Sequence, residues 1–310
     1  MIPQTLTKLL GIKYPILQGG MAWVADGHLA ASVSEAGGLG LISAMALGAD
    51  YVKEQIEIAR SETDKPFGVN IMLMSPYAKE IAQLVIDEKI PVITTGAGNP
   101  APFMKAWKEA GIKVLPVVAS TALAKLVERS GADAVICEGT EAGGHVGDLT
   151  TMVLVPQVVD AVKIPVIAAG GIADGRAYAA SLMLGAVGIQ MGTRFLVAKE
   201  CSIHPTYKEK VLKAKDISTI VTGKRSGHPV RSLKTNFTRT FYQDELDGVD
   251  PTLLEERLKG SLRRAVKEGH EEGSFMAGQS SGLVKKEETA KEIIQGITEE
   301  ALKVLGGFHG

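Results

Sequence analysis

One histidine stands among glycines in the stretch EAGGHVG, Glu141 to Gly147, and its chemistry sets the reading of the whole chain. Imidazole changes charge near neutral pH, so His145 could take or give a proton. Flanking glycines would let its loop pass close over a ligand. Two more glycine-containing stretches, AAGGI (Ala168 to Ile172) and QMGT (Gln190 to Thr193), offer backbone N–H groups at close range, which is the chemistry of a phosphate site. QGGM, ending at Met21, supplies another pliable backbone. Asn70 adds an amide that can donate to and accept from the edge of a planar heterocycle such as a flavin or a pyrimidine. Each feature alone has a plainer reading as a turn, a loop-tying amide or a structural histidine. Their convergence predicts a phosphate-bearing, nucleotide-like cofactor beneath a proton-handling residue.

Such convergence requires elements that bring distant loops together. Short, nearly continuous apolar runs recur along the chain: PILQGG, LGLIS, FGVNIM, VITTG, KVLPVVAS, ADAVICEG, PVIAAGG and VGIQMGT. Runs of this kind are what parallel strands buried on both faces require. Helix-like segments such as YVKEQIEIARS and TALAKLVERSG lie between them, and eight strand–helix units close a (β/α)8 TIM barrel. A doubly wound open sheet is the rival, but no glycine-rich dinucleotide fingerprint follows the first run. In a barrel the βα loops build the site at the C-terminal strand ends, where QGGM, Asn70, EAGGH, AAGGI and QMGT all fall. After Phe195 the rhythm breaks. The expected organisation is a barrel of residues 1–198 plus 274–310, with a second, smaller, mainly helical domain at 199–273 inserted after the eighth strand. The terminal segment EETAKEIIQGITEEALKVL should form a helix that packs back on the barrel.

Composition narrows the function classes. The 310 residues are 45% hydrophobic with a formal net charge of -1, which suits a globular enzyme and argues against nucleic acid as a partner of the whole chain. No apolar run reaches membrane-spanning length, and no signal peptide is visible, so neither a membrane location nor secretion is expected. Cys137 and Cys201 lack metal-ligand spacing; no metal site is expected, and a reducing cytoplasm is the economical location. The net charge hides one asymmetry: residues 199–239 hold ten Lys and Arg against three acids. This is either a face for an acidic partner or material for internal ion pairs.

The stretches QGGMAWVAD, KPFGVNIMLMSP, VITTGAGNP, EGTEAGGHVGDLTTM, IPVIAAGGIADG, QMGTRF, HPTYKEKVLKAKDI and FMAGQSSGLVKKEETA resemble flavin-dependent enoyl-acyl-carrier-protein reductase II, which sits with the nitronate monooxygenases, formerly 2-nitropropane dioxygenases. The resemblance spans almost the whole chain. It implies FMN held by Gly20, Met21, Asn70, Glu138, Gly143, Gly171, Gln190, Gly192 and Thr193, with Met276 and Gln279 of MAGQ closing over the flavin, and His145 as the catalytic residue. It further implies NADH or NADPH as hydride donor, a trans-2-enoyl thioester on acyl carrier protein as acceptor in fatty acid biosynthesis, a homodimer, and a possible monovalent cation. Nitronate oxidation is the alternative reaction of the same pocket. One departure stands out: where the family often carries glycines after the second strand, this chain has Ser43, Ala44, Met45 and Ala46.

Overall fold

The computed structural model describes residues 2–44 and 47–307. Eight parallel strands form the barrel: β1 (Ile16–Gln18), β2 (Leu41–Ser43), β3 (Gly68–Met72), β4 (Val92–Gly96), β5 (Lys113–Val118), β6 (Val135–Glu138), β8 (Val166–Ala169) and β9 (Gly188–Met191). The two-residue β7 (Gly144–His145) lies outside the barrel. Neighbours run β1-β9-β8-β6-β5-β4-β3-β2, and a parallel bridge between Leu17 and Leu39 joins the two ends. Gln18 strengthens that seam. Its fully buried amide accepts from Leu41 N (3.1 Å) and donates to Leu41 O (3.2 Å), supplying ladder bonds that these short strands cannot make by backbone alone. The barrel is thus a (β/α)8 fold, and each of its strands lies on a predicted apolar run.

Side-chain alternation decides what lines the interior. Leu17, Leu41, Val92, Leu115, Ile136 and Ile167 point inward as one cluster, whereas Ile16, Ile42, Ile93, Val114, Val135 and Ile189 face the surrounding helices. Asn70, Glu138 and Gln190 keep the inward parity of Gly68, Ile136 and Gly188 but sit one step nearer the C-terminal mouth. The interior therefore turns from apolar to polar at its top. Its bottom is closed by a helix the sequence reading did not anticipate, Thr5–Leu10, whose buried Leu6 and Leu10 join the inward cluster. Several βα loops end in an N-cap that fixes where the helix begins: Asp26 accepts from Leu29 N, Ser120 from Leu123 N and Asp174 from Ala177 N.

Residues 199–273 contain the helices Pro205–Leu212, Asn236–Leu246 and Pro251–Leu258, together with an unexpected hairpin. Its strands β10 (Thr219–Thr222) and β11 (Val230–Leu233) pair antiparallel, and β11 also pairs with β7. This segment thus reaches across and adds strands to the loop that carries His145. Its apolar side chains continue the barrel's outer core: Tyr207, Val211 and Val266 belong to one cluster with Phe195, Leu196 and Phe275. The Tyr207 and Phe275 rings meet edge to face at 5.0 Å. The predicted C-terminal helix, Ala290–Gly307, packs on helices Gly175–Met183 and Gly27–Glu35. No helix among the described residues is long and apolar enough to cross a membrane.

Candidate active site

A cavity of about 300 Å³ opens at the C-terminal mouth of the barrel. Every predicted site residue lines it except Gln279. The exposed Gln279 contributes through its backbone, whose N–H donates to Glu141 O at 2.9 Å.

Asn70 forms the polar floor. Thr94 Oγ1 donates to its Oδ1 at 2.8 Å, which fixes the amide orientation and leaves Nδ2 without a protein acceptor among the described residues. Gly20 lies flat against this amide; a Cβ there would stand 2.2 Å from Asn70 Cβ, so only glycine fits. The buried Gln190 amide likewise has no protein partner among the described residues. Both amides open onto the cavity, where a heterocycle with ring nitrogens and carbonyls would satisfy them.

The opposite end suits a phosphate. The N–H groups of Gly170, Gly171, Gly192 and Thr193, on the loops after β8 and β9, have no protein acceptor among the described residues. Gly170 and Gly171 adopt φ of 91° and 76°, a left-handed backbone that other residues would resist. Convergent free amides on these two loops are the usual phosphate cradle of the barrel.

Glu138 ends β6 with its carboxyl on the cavity. Removal from water disfavours the charged form and pushes its pKa up to about 7. His145 stands at the mouth, partly open to solvent. Burial of one side, and then the neighbouring His228, lower its pKa, so the imidazole is neutral at physiological pH with one N–H and one lone pair to offer.

Three segments weld into the wall that holds His145. Gly143 packs against the return segment so closely that a Cβ would lie 2.6 Å from Ala277 C, and Gly278 N donates to Thr193 Oγ1 at 2.9 Å. Tyr207 OH donates to Met276 O at 2.6 Å, which sets Met276 against the cavity. Arg231 of β11 grips Thr140 O through Nε (3.1 Å) and Nη2 (3.0 Å). Glu141 caps helix Thr151–Ala161, accepting from Thr151 N at 2.9 Å, so its carboxylate is committed there rather than to orienting the imidazole.

Sequence reasoning missed Thr94, Tyr207, Arg231 and His228. Arg231 counted only as surface charge, yet it is buried. Part of the basic surplus is taken up by contacts within the chain: Lys208 bridges Ala198 O and Glu287, Arg225 donates to Glu245 O, and the exposed Lys199 and Lys213 pair with Glu292 and Glu209 at the surface. Of the departure after β2, Met45 and Ala46 lie outside the described residues. Ala44 N donates to Asn70 O (2.9 Å), and the buried Ser43 hydroxyl has no partner among the described residues. Among those residues no cluster of metal-ligating side chains occurs, and both cysteines are buried and free.

Comparison with known proteins adds four findings. The family model described as nitronate monooxygenase matches residues 3–300. The structure of FabK from Thermotoga maritima superposes with a TM-score of 0.96 at 53% identity, covering 98% of each chain. A carboxyl-CoA dehydrogenase of Rhodococcus jostii, acting on a hydroxy-methyl-oxo-octahydroindene, is 34% identical over 96% of this chain and 95% of its own. A probable nitronate monooxygenase of Staphylococcus saprophyticus is 33% identical over 97% of this chain and 98% of its own.

Proposed function

Because the chain belongs to the nitronate monooxygenase family, and is on that ground an oxidoreductase, we propose that it is an FMN-dependent reductase that uses NADH or NADPH on trans-2-enoyl thioesters carried by acyl carrier protein. The observation that carries this reading is the mouth itself: two unpartnered amides, a cradle of free backbone N–H groups and a neutral histidine surround one cavity. Asn70 and Gln190 match the polar edge of a flavin ring, and Gly171, Gly192 and Thr193 match its single phosphate. No second nucleotide site is evident in the sequence, which favours FMN over a dinucleotide flavin. The preference for enoyl thioesters over nitronates rests on the resemblance of segments such as KPFGVNIMLMSP and GLVKKEETA to enoyl reductase II. The 53% identity to FabK, against 28% to a nitroalkane oxidase of Streptomyces ansochromogenes, supports it.

When bound, FMN would supply the hydride-transferring ring. The chain's own residues do the rest. Asn70 and Gln190 orient the ring edge, while the apolar side chains of Val24, Leu196 and Leu262 keep water from the reacting face. His145 faces the cavity from the mouth with an uncharged imidazole. Its N–H can donate to a thioester oxygen on which negative charge develops, or it can relay the proton that completes the reduction.

The test is a visible spectrum of the purified protein followed by anaerobic bleaching with NADH, with NADPH and with a nitronate in parallel. Flavin bands bleached by a pyridine nucleotide and restored by a trans-2-enoyl thioester are expected. Bleaching by nitronate alone would move the assignment to nitronate oxidation, and a colourless protein would remove the flavin.

A further inference from the structure

We propose that the turn joining β10 to β11, GKRSGHP (Gly223 to Pro229), recognises a phosphate on a reactant entering over His145. The ladder places it there: Val230 is the cross-strand partner of His145, and Val146 N donates to Pro229 O at 3.1 Å. His228 therefore sits diagonally across the ribbon from His145, on the same face. Their electrostatic coupling agrees with that proximity.

The turn is a built structure rather than a loose loop. The buried Glu245 carboxylate accepts from Gly223 N at 3.0 and 2.9 Å, and Arg225 donates back to Glu245 O. Gly223 and Gly227 both take φ of 79°, and His228 N closes the turn on Gly223 O at 2.9 Å. Lys224 and His228 are left exposed, Lys224 without an ion pair among the described residues. The N–H groups of Lys224 and Ser226 also have no protein acceptor among them. An exposed ammonium, an imidazole and free amides on a rigid glycine turn are complementary to a phosphate. This contrasts with Lys208 and Lys213, which are spent on pairs within the chain.

The inference deepens the proposed function and rests on it for what passes the mouth. Two reactants carry the required chemistry: the pyrophosphate of a nicotinamide dinucleotide, and the phosphate of a pantetheine arm bearing the thioester. Titration calorimetry of coenzyme A, NAD⁺ and NADP⁺ into the flavin-loaded protein, compared with a Lys224→Ala variant, tests it without turnover. Loss of one charge-assisted contact should weaken binding about tenfold. A drop for coenzyme A alone assigns the turn to the thioester arm, with an unchanged KM for an enoyl N-acetylcysteamine thioester, which has no phosphate. A drop for the dinucleotides alone assigns it to the hydride donor. Unchanged affinity for all three, no binding of any to the unaltered protein, or an equal drop in a Lys215→Ala control would overturn the proposal. Because binding is read directly, a protein that binds these ligands but does not reduce enoyl thioesters would refute the reductase reading and leave this one standing.

Discussion

His145 and Glu138 face one cavity with opposite electrostatic histories, and each supports a prediction. Burial and His228 hold the imidazole neutral. His145→Ala should keep bound flavin and its reduction by NAD(P)H, while reoxidation by an enoyl thioester slows by ~10²–10⁴-fold, the range for losing a general acid or an oxyanion donor. Stopped-flow traces of the two half-reactions check this; an unchanged second phase would reduce His145 to a loop residue. Burial raises Glu138 from 4.5 to about 7. Below the lower value the carboxyl is protonated in folded and unfolded chains alike. As pH rises toward 7 the folded protein holds a proton that the unfolded chain has released, so stability falls across that window. In flavin-free protein Glu138→Gln should melt higher than the parent above pH 7, by roughly 3 kcal/mol, with the difference vanishing below about pH 4.5. Coincident melting curves at pH 8 would show the carboxyl to be better solvated than its surroundings suggest.

The element that matters most is the small sheet β10-β11-β7, because it ties the histidine loop to residues 199–273. Arg231 is its anchor, fixing Thr140 O from β11 and reaching Thr219 Oγ1 at 3.1 Å. Arg231→Met should leave the flavin cradle on the β8 and β9 loops intact but free the loop that carries His145. The expected signature is full flavin content, a kcat lowered at least tenfold, and a stability loss of about 1–3 kcal/mol from the unpaired carbonyl. Flavin loss in parallel with activity would instead mean that the same anchor supports the cofactor.

At the scale of the molecule, the barrel and residues 199–273 share one apolar cluster, with Tyr207, Val211 and Val266 packed among residues of the βα units and the return segment. A core shared in this way predicts one cooperative unfolding transition. Far-ultraviolet circular dichroism should follow the same curve as the fluorescence of Trp23 and Trp107, both in the barrel. Two separated transitions would show residues 199–273 to be an independent folding unit.

The sequence by itself determined the barrel and the composition of its mouth. Buried parallel strands demand apolar runs, and loops that approach a ligand demand glycine, so PILQGG, PVIAAGG and EAGGH carry their structural meaning locally. The placement of Asn70 and His145 at the mouth was legible for the same reason, because polar residues at the ends of apolar runs have few other places to be, whereas Gln190 was named through the family resemblance. Other features depended on partners far away in the chain. The four-residue strands β10 and β11 are too short and polar to announce themselves and are defined by pairing with each other and with Gly144 and His145. Whether Glu141 faced the histidine or a helix end, and whether Lys208 faced solvent or Glu287, was settled by which acceptor lay within reach after folding. Residue type states what a side chain can bond to, but only the tertiary structure decides which partner it meets.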